Sequence, residues 1–304
     1  MTEGVNMPET LIASTILIIL ILIIRTAFRK KLNSRFFYAL WLLPAVRLLI
    51  LPIIELPQGW SLISLIKNTS RSINLFGLYT NDAEGLKVVV NIGKFLSSWV
   101  ALVIWGIGMA TVFMFHFVPY VRQKHKLKNH RTLIAYREVD RLKLYSSDIM
   151  ASPAIYGFDI YVPADMIEGK KNFNLSVLHE RCHFEQWDEL WNLVRVICSS
   201  IYWFNPLVWI AVIKSRDDSE YSCDEAVTKN MSCSQKKEYC KLLLEIATGG
   251  LLEQNHSFFE ADMVKSPIYK RIMIILAEKK AHPFLKVLIL LCLFAVLLLS
   301  LNTN

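Results

Sequence analysis

Residues 95–118 run without a single Asp, Glu, Lys or Arg, and residues 11–24 do the same. A stretch of about 20 apolar residues can cross a bilayer as a helix, which satisfies its own backbone polar groups where no water can. Residues 284–301 form a third such run, with Lys286 near one end. Residues 36–54 form another, carrying Pro44, Arg47 and Pro52. An arginine inside a span is costly unless it faces a protein interior, so Arg47 is expected to face the bundle. Hydrophobic residues make up 54% of the chain. Their concentration in long runs, rather than at core spacing, points to a multi-pass membrane protein.

A net charge of +8 suits a nucleic-acid partner in principle, but the positions of the charges argue otherwise. Arg25, Arg29, Lys30, Lys31 and Arg35 follow the first run. Arg122, Lys124, Lys126, Lys128 and Arg131 follow the run 95–118, and Lys270, Arg271, Lys279, Lys280 and Lys286 lead into the last. Basic clusters at alternate ends of apolar runs are the mark of positive-inside orientation. They predict spans at about 10–28, 36–54, 95–118 and 284–301, with both chain ends outside. An outer loop then covers 55–94 and a cytoplasmic domain 119–283. Arg25 is expected to snorkel to the inner surface. A signal peptide is disfavoured, because Glu3 and Glu9 precede the first run where positive charge is needed. Lipid contact is expected and direct nucleic-acid binding is not. The six cysteines show no C-x-x-C spacing and are expected to be reduced.

Inside the cytoplasmic stretch, residues 132–161 mix Ile, Val, Tyr and Leu with Pro153 and Gly157, a pattern of a few short strands and turns. The pattern turns helical from Asn174. Residues 196–213 are again uncharged and long enough to cross, yet Asn205-Pro206 lies in mid-run, where proline breaks a helix. A membrane-associated hairpin is expected there, leaving both flanks on one side.

Those flanks carry the chemistry. His179-Glu180-Arg181-Cys182-His183 is an H-E-x-x-H motif. Histidines four apart share a helix face, so both imidazoles reach one ion. Such a site suits zinc, with a further protein ligand and one position left open. Glu180 is the expected catalytic base, taking a proton from the attacking water and passing one to the leaving amine. Glu220, beyond the hairpin, is the expected third ligand. Asp224, four residues on, is placed to accept the outward N–H of a ligating histidine. Glu185 and Asp188 compete as carboxylates. Asp188, five residues past His183, comes out rotated off the ligand face and is given a helix-orienting role at most. H-E-x-x-H also arises by chance, and Asp217, Asp218 and Glu225 make an exposed acidic helix start an ordinary alternative for any one carboxylate. Tyr156, Tyr221 and His256 stay open as groups to stabilise an oxyanion.

On these residues the chain resembles the membrane zinc peptidases of the BlaR/MecR type, the beta-lactam sensor and signal-transducer proteins. Tyr38-Ala-Leu-Trp41 with Arg47 and Pro52 is similar to that family's second span. Ser152-Pro153 through Gly157 to Val162-Pro163 is similar to its segment before the metal helix. His179 to His183 with Asp188 is similar to the metal helix itself. Phe204-Asn205-Pro206 followed by Glu220-Tyr-Ser-Cys-Asp224-Glu225 is similar to its closing block.

The resemblance implies a mostly α protein with four transmembrane helices and a cytoplasmic, gluzincin-like zinc peptidase domain containing a few short strands. It also implies one zinc ion and an endopeptidase that cleaves itself and triggers removal of a transcriptional repressor when a ligand binds outside. The expected partners are therefore a protein substrate and membrane lipid, with a homodimer left open. No outer penicillin-binding domain is expected after the last span, and Ser64-Leu-Ile-Lys67 is read as a chance S-x-x-K tetrad, so beta-lactam sensing is not expected. Ser257-Phe258, in the polar stretch 252–267, is a candidate for self-cleavage. Two rival readings stand beside this one. A membrane quality-control peptidase carries Glu-x-x-Ala-Asp where this chain has Cys223 before Asp224. A non-catalytic receptor or scaffold needs the ligands but not Glu180.

Overall fold

The computed structural model describes residues 7–49, 99–137, 142–167, 170–248, 267–277 and 282–301. The expected outer loop 55–94, with Ser64 and Lys67, lies outside them, as do His256, Ser257 and Phe258. Helix α1 (Met7–Phe28) buries Leu17, Ile18 and Ile21 completely and leaves Ile12, Ile19 and Ile23 exposed. The segment expected as a single second span is, as far as residue 49, two short helices, α2 (Ser34–Leu40) and α3 (Leu42–Leu49), which part at Trp41. Pro44 explains the break. It lacks an N–H, and its ring clashes with the carbonyl four residues back, at Leu40. Arg47 is buried, as a charge in an apolar segment must be.

Helix α4 (Trp99–Asn129) continues past Pro119 and beyond the expected limit at 118. Helices α1 and α4 are long and apolar enough to cross a membrane by length and composition, and the described residues hold two such helices. The closing apolar helix, which begins at Pro283 and ends at Leu301, packs Ile289, Leu293 and Leu297 into the same core as Leu17 and Phe37.

After α4 come strands β1 (Thr132–Arg137), β2 (Leu142–Ser147), β3 (Ala154–Tyr156) and β4 (Asp159–Pro163), in the spatial order β1-β2-β4-β3. The pairs β1/β2 and β3/β4 are antiparallel and β2/β4 is parallel. Gly157 turns β3 into β4 at φ +68°, a conformation that favours glycine. Ile160 and Val162 of β4 face helix α5 (Lys170–Glu185), meeting Phe173, Val177 and Phe184. Strand β3 is an edge of the sheet.

Helix α6 (Asp188–Ile201) and helix α7 (Pro206–Thr228) break at the residues just before Pro206 and pack on one another. Asn205 caps α7, its side chain accepting from the Leu207 N–H at 3.0 Å, and Pro206 takes the first helical position, where a missing N–H costs nothing. Trp105 of α4 donates to the Ile201 carbonyl at 2.8 Å, satisfying an end of α6. Helix α8 (Cys233–Thr248) and helix α9 (Pro267–Leu276) pack through Tyr239, Leu242, Leu243 and Ile275 beside α7. With α9 in place, the closing helix Pro283–Leu301 is α10. All six cysteines are free thiols.

Arg25 departs from expectation. It is buried, not snorkelling, and its Nε donates to both oxygens of Asp218 at 2.8 and 2.9 Å. Trp41 donates to the same carboxylate at 2.9 Å. A buried guanidinium needs a paired charge, and Asp218, two residues from Glu220, supplies it. Asp218→Asn removes the nearer ion partner of the buried guanidinium and, among the described residues, leaves only Asp217, at 3.7 Å. It is expected to destabilise the protein by about 3–5 kcal/mol, measured as a drop in denaturant midpoint in detergent micelles.

Candidate metal centre

Helix α5 carries His179, Glu180 and His183, all buried, at the end that faces α7. The two Nε2 atoms face each other at 3.1 Å. Glu220 of α7 completes a triangle, with Oε2 at 3.4 Å from His179 Nε2 and Oε1 at 3.6 Å from His183 Nε2. A tetrahedral ion with bonds of about 2.0–2.2 Å spaces its donors by about 3.3–3.5 Å, so the residues present fit one metal ion. His179, His183 and Glu220 form one of two groups among the described residues able to hold an ion. The other, His183 with Asp188 and Cys223, uses the back of the same ring and is better described as its support.

That support sets the tautomers. His183 Nδ1 lies 2.5 Å from Asp188 Oδ2, and Asp188 is itself bound by Ser219 Oγ at 2.5 Å and by the Tyr38 hydroxyl. His179 Nδ1 lies 2.8 Å from the Tyr239 hydroxyl, which donates to Asp224 Oδ1 at 2.9 Å. Each Nδ1–H therefore has an acceptor, which leaves each Nε2, once it is free of a proton, to offer its lone pair to the triangle. Asp224 was expected to meet a histidine directly. Its oxygen is 3.5 Å from His179 Nδ1, and Tyr239 bridges the gap.

Asp188 needs a correction of role. Extending the helical rotation past His183 turns it away from the ligands, but the helix ends first. Trp187 adopts a left-handed conformation (φ 59°, ψ 36°), which swings Asp188 back beneath the imidazole and starts α6 there. A left-handed Trp is uncommon, and residue spacing carries no sign of it. Sequence reasoning also missed Tyr38, Tyr239 and Arg271. Arg271, counted above among basic residues leading to a membrane surface, instead reaches into the site with its side chain mostly covered. Its Nε and NH2 bind both oxygens of Asp224 at 2.7 and 2.8 Å, and its NH1 lies 2.9 Å from Glu220 Oε2. Of the groups left open for an oxyanion, Tyr156 packs between Tyr120 and the edge of Tyr161, and Tyr221 is buried beneath Arg29.

A cavity of about 440 Å³ opens on the triangle, lined among others by Ser152 to Ile155, Glu180, Arg195, Glu220, Tyr239 and Arg271. The two glutamates in it are driven apart. Burial raises the Glu180 carboxyl above the usual carboxylate range, and the neighbouring imidazoles only partly oppose it. Burial also disfavours ionised Glu220, but the His179 hydrogen bond and the Arg271 guanidinium outweigh it and hold that carboxyl well below the range.

The sequence model of the BlaR1 peptidase M56 family matches residues 6–275, and the chain belongs to that family. It is 24% identical over 255 residues to the regulatory protein BlaR1 of Bacillus licheniformis, covering 77% of this chain and 42% of that protein. It is 24% identical over 278 residues to the methicillin resistance mecR1 protein of Staphylococcus aureus, covering 81% and 46%. The chain thus spans less than half the length of these curated relatives.

Burial alone lowers the His183 pKa, but the Asp188 hydrogen bond and the nearby glutamates overcome it and raise the ring to about 9. In metal-free protein the ring is protonated at neutrality, and a metal must expel that proton. Affinity for a divalent metal should climb about tenfold per pH unit from neutrality and level off above pH of about 9. Asp188→Asn should weaken binding by about 10–100-fold and move the plateau to lower pH. Competition against a chromophoric chelator across pH reads both effects.

Proposed function

We propose that the chain is a membrane-bound zinc endopeptidase with a regulatory role, hydrolysing a cytoplasmic regulator, itself, or both in response to an external signal. In this reading the apolar segments make four spans, the amino terminus lies outside, and the sheet and metal centre lie at the cytoplasmic face. The observation that carries the proposal is the meeting of His179, His183 and Glu220 in one cavity with a buried Glu180. A scaffold needs the first three and has no use for the fourth. The regulatory part rests on the relatives, one named a regulatory protein and the other a methicillin resistance protein.

Zinc, when bound by His179, His183 and Glu220, supplies a Lewis acid that brings the pKa of water towards neutrality and polarises the scissile carbonyl. Glu180 takes the proton of the attacking water, and its raised pKa lets it keep that proton long enough to hand it to the departing amine. Glu220 stays ionised throughout, as a ligand should. Substrate backbone is held by β3. That strand pairs with β4 on one side, and Ser152 to Ile155 line the cavity, so an extended peptide can add to its edge. Tyr239 and Asp188 hold the imidazoles, and the walls of the cavity restrict bulk water.

Glu180→Gln removes the base and leaves the ligands. It is expected to retain one zinc ion per chain and to lose at least about 100-fold in cleavage rate. Metal analysis of purified protein and mapping of new amino termini in membrane proteomes check the two halves. Equal processing by wild type and variant would turn the reading towards a scaffold. As pH falls, activity should fail at a value above that of an ordinary glutamate, because the ionised form of Glu180 is lost there first.

A further inference from the structure

Arg271 reaches the metal centre from outside both ligand helices. It lies on α9, and its side chain is largely but not fully buried, with 15% of its surface exposed. One edge of the guanidinium, Nε with NH2, grips Asp224 through two hydrogen bonds of 2.7 and 2.8 Å. Asp224 is completely buried and also anchors Tyr239, so that edge is fixed. The remaining nitrogen, NH1, points the other way. It lies 2.9 Å from Glu220 Oε2, while NH2 lies 3.3 Å from His179 Nε2. The second end of a clamped cation, paired with Glu220, thus sits at the mouth of the ligand triangle, on the wall of the same cavity as Glu180.

We infer that Arg271 is a further catalytic residue, whose NH1 donates to the scissile carbonyl oxygen as that oxygen becomes negative. The inference rests on the metallopeptidase reading above and adds to it the group that takes the developing charge. Three features suit the task. A guanidinium stays protonated at any working pH, so it needs no tuning. Its orientation is set before substrate arrives, and a preorganised donor gives more than one that must reorient. It also shares Glu220, so as a metal draws on that carboxylate NH1 can turn to another oxygen without losing its hold on Asp224. Tyr239, which also lines the cavity, already has its hydroxyl engaged by His179 and Asp224.

The test uses the full chain in detergent micelles, with Arg271→Ala and Arg271→Lys. Two ligands are compared. One is a peptidyl phosphinate, which mimics the tetrahedral anion. The other is an uncharged peptide substrate, whose binding is measured in the Glu180→Gln background. Zinc content is measured in each protein. Arg271→Ala is expected to keep its zinc, to bind the phosphinate about 100-fold more weakly or worse, and to bind the peptide within about threefold of the parent; kcat falls while KM holds. Arg271→Lys should fall between the two, having charge without the fork. Equal weakening of both ligands, or undiminished phosphinate binding, overturns the inference. If the alanine variant loses zinc, the lysine variant decides. Zinc retained with phosphinate affinity lowered at least about tenfold upholds the role, and zinc lost with both ligands reduces Arg271 to a structural support. Wild type that binds no zinc would sink the metallopeptidase reading itself, a result distinct from any of these.

Discussion

Two imidazole nitrogens whose lone pairs face one another across 3.1 Å, with a carboxylate closing the third side, repel unless a cation lies between them or protons intervene. Holding that arrangement in a buried setting is the main physical demand on this structure. It is met from behind. Asp188 accepts from one ring, and Tyr239 with Asp224 accepts from the other, so the lone pairs are aimed inward by hydrogen bonds on the far side of each ring. Arg271 then balances the charge of Asp224 and Glu220. Such a network is stable only when every member is satisfied, because each group taken out of water must recover its hydrogen bonds inside the protein.

The supports come from the apolar part of the chain as much as from the segment that carries the sheet and the ligand helices. Tyr38 of α2 binds Asp188, and Arg195 of α6 lies 3.4 Å from the same hydroxyl. Arg25 of α1 and Trp41 both hold Asp218, one helical step from Ser219, which in turn binds Asp188. The Ser34 N–H donates to Glu225 at 2.6 Å. Displacing α1 or α2 along its axis therefore means breaking buried, charge-assisted contacts beside the metal ligands.

The two glutamates show how one cavity supports two chemistries. Both lose water on burial. Glu220 faces Arg271 and the imidazoles directly and remains a carboxylate, whereas desolvation dominates at Glu180 and favours its protonated form. Opposed shifts in neighbouring carboxyls separate a ligand from a proton carrier.

Much of this was legible in the sequence wherever the rule is local. The four-residue spacing of His179 and His183 places both on one face because a helix turns every 3.6 residues. Asn205-Pro206 announces the break between α6 and α7, since proline cannot continue a helix and asparagine caps one. The length of uncharged runs marks α1 and α4. Pro44 also lay in plain view, and its effect on the second apolar segment followed from the same rule. What only the tertiary structure decided are contacts between residues far apart in the chain. Arg271 reaches Asp224 across 47 positions and Tyr38 reaches Asp188 across 150. Counting charges assigns Arg25 and Arg271 to a membrane surface, because composition records that a charge exists and not which carboxylate it finds. Asp188 fell to a single left-handed residue, Trp187, whose backbone angle leaves no mark in residue spacing.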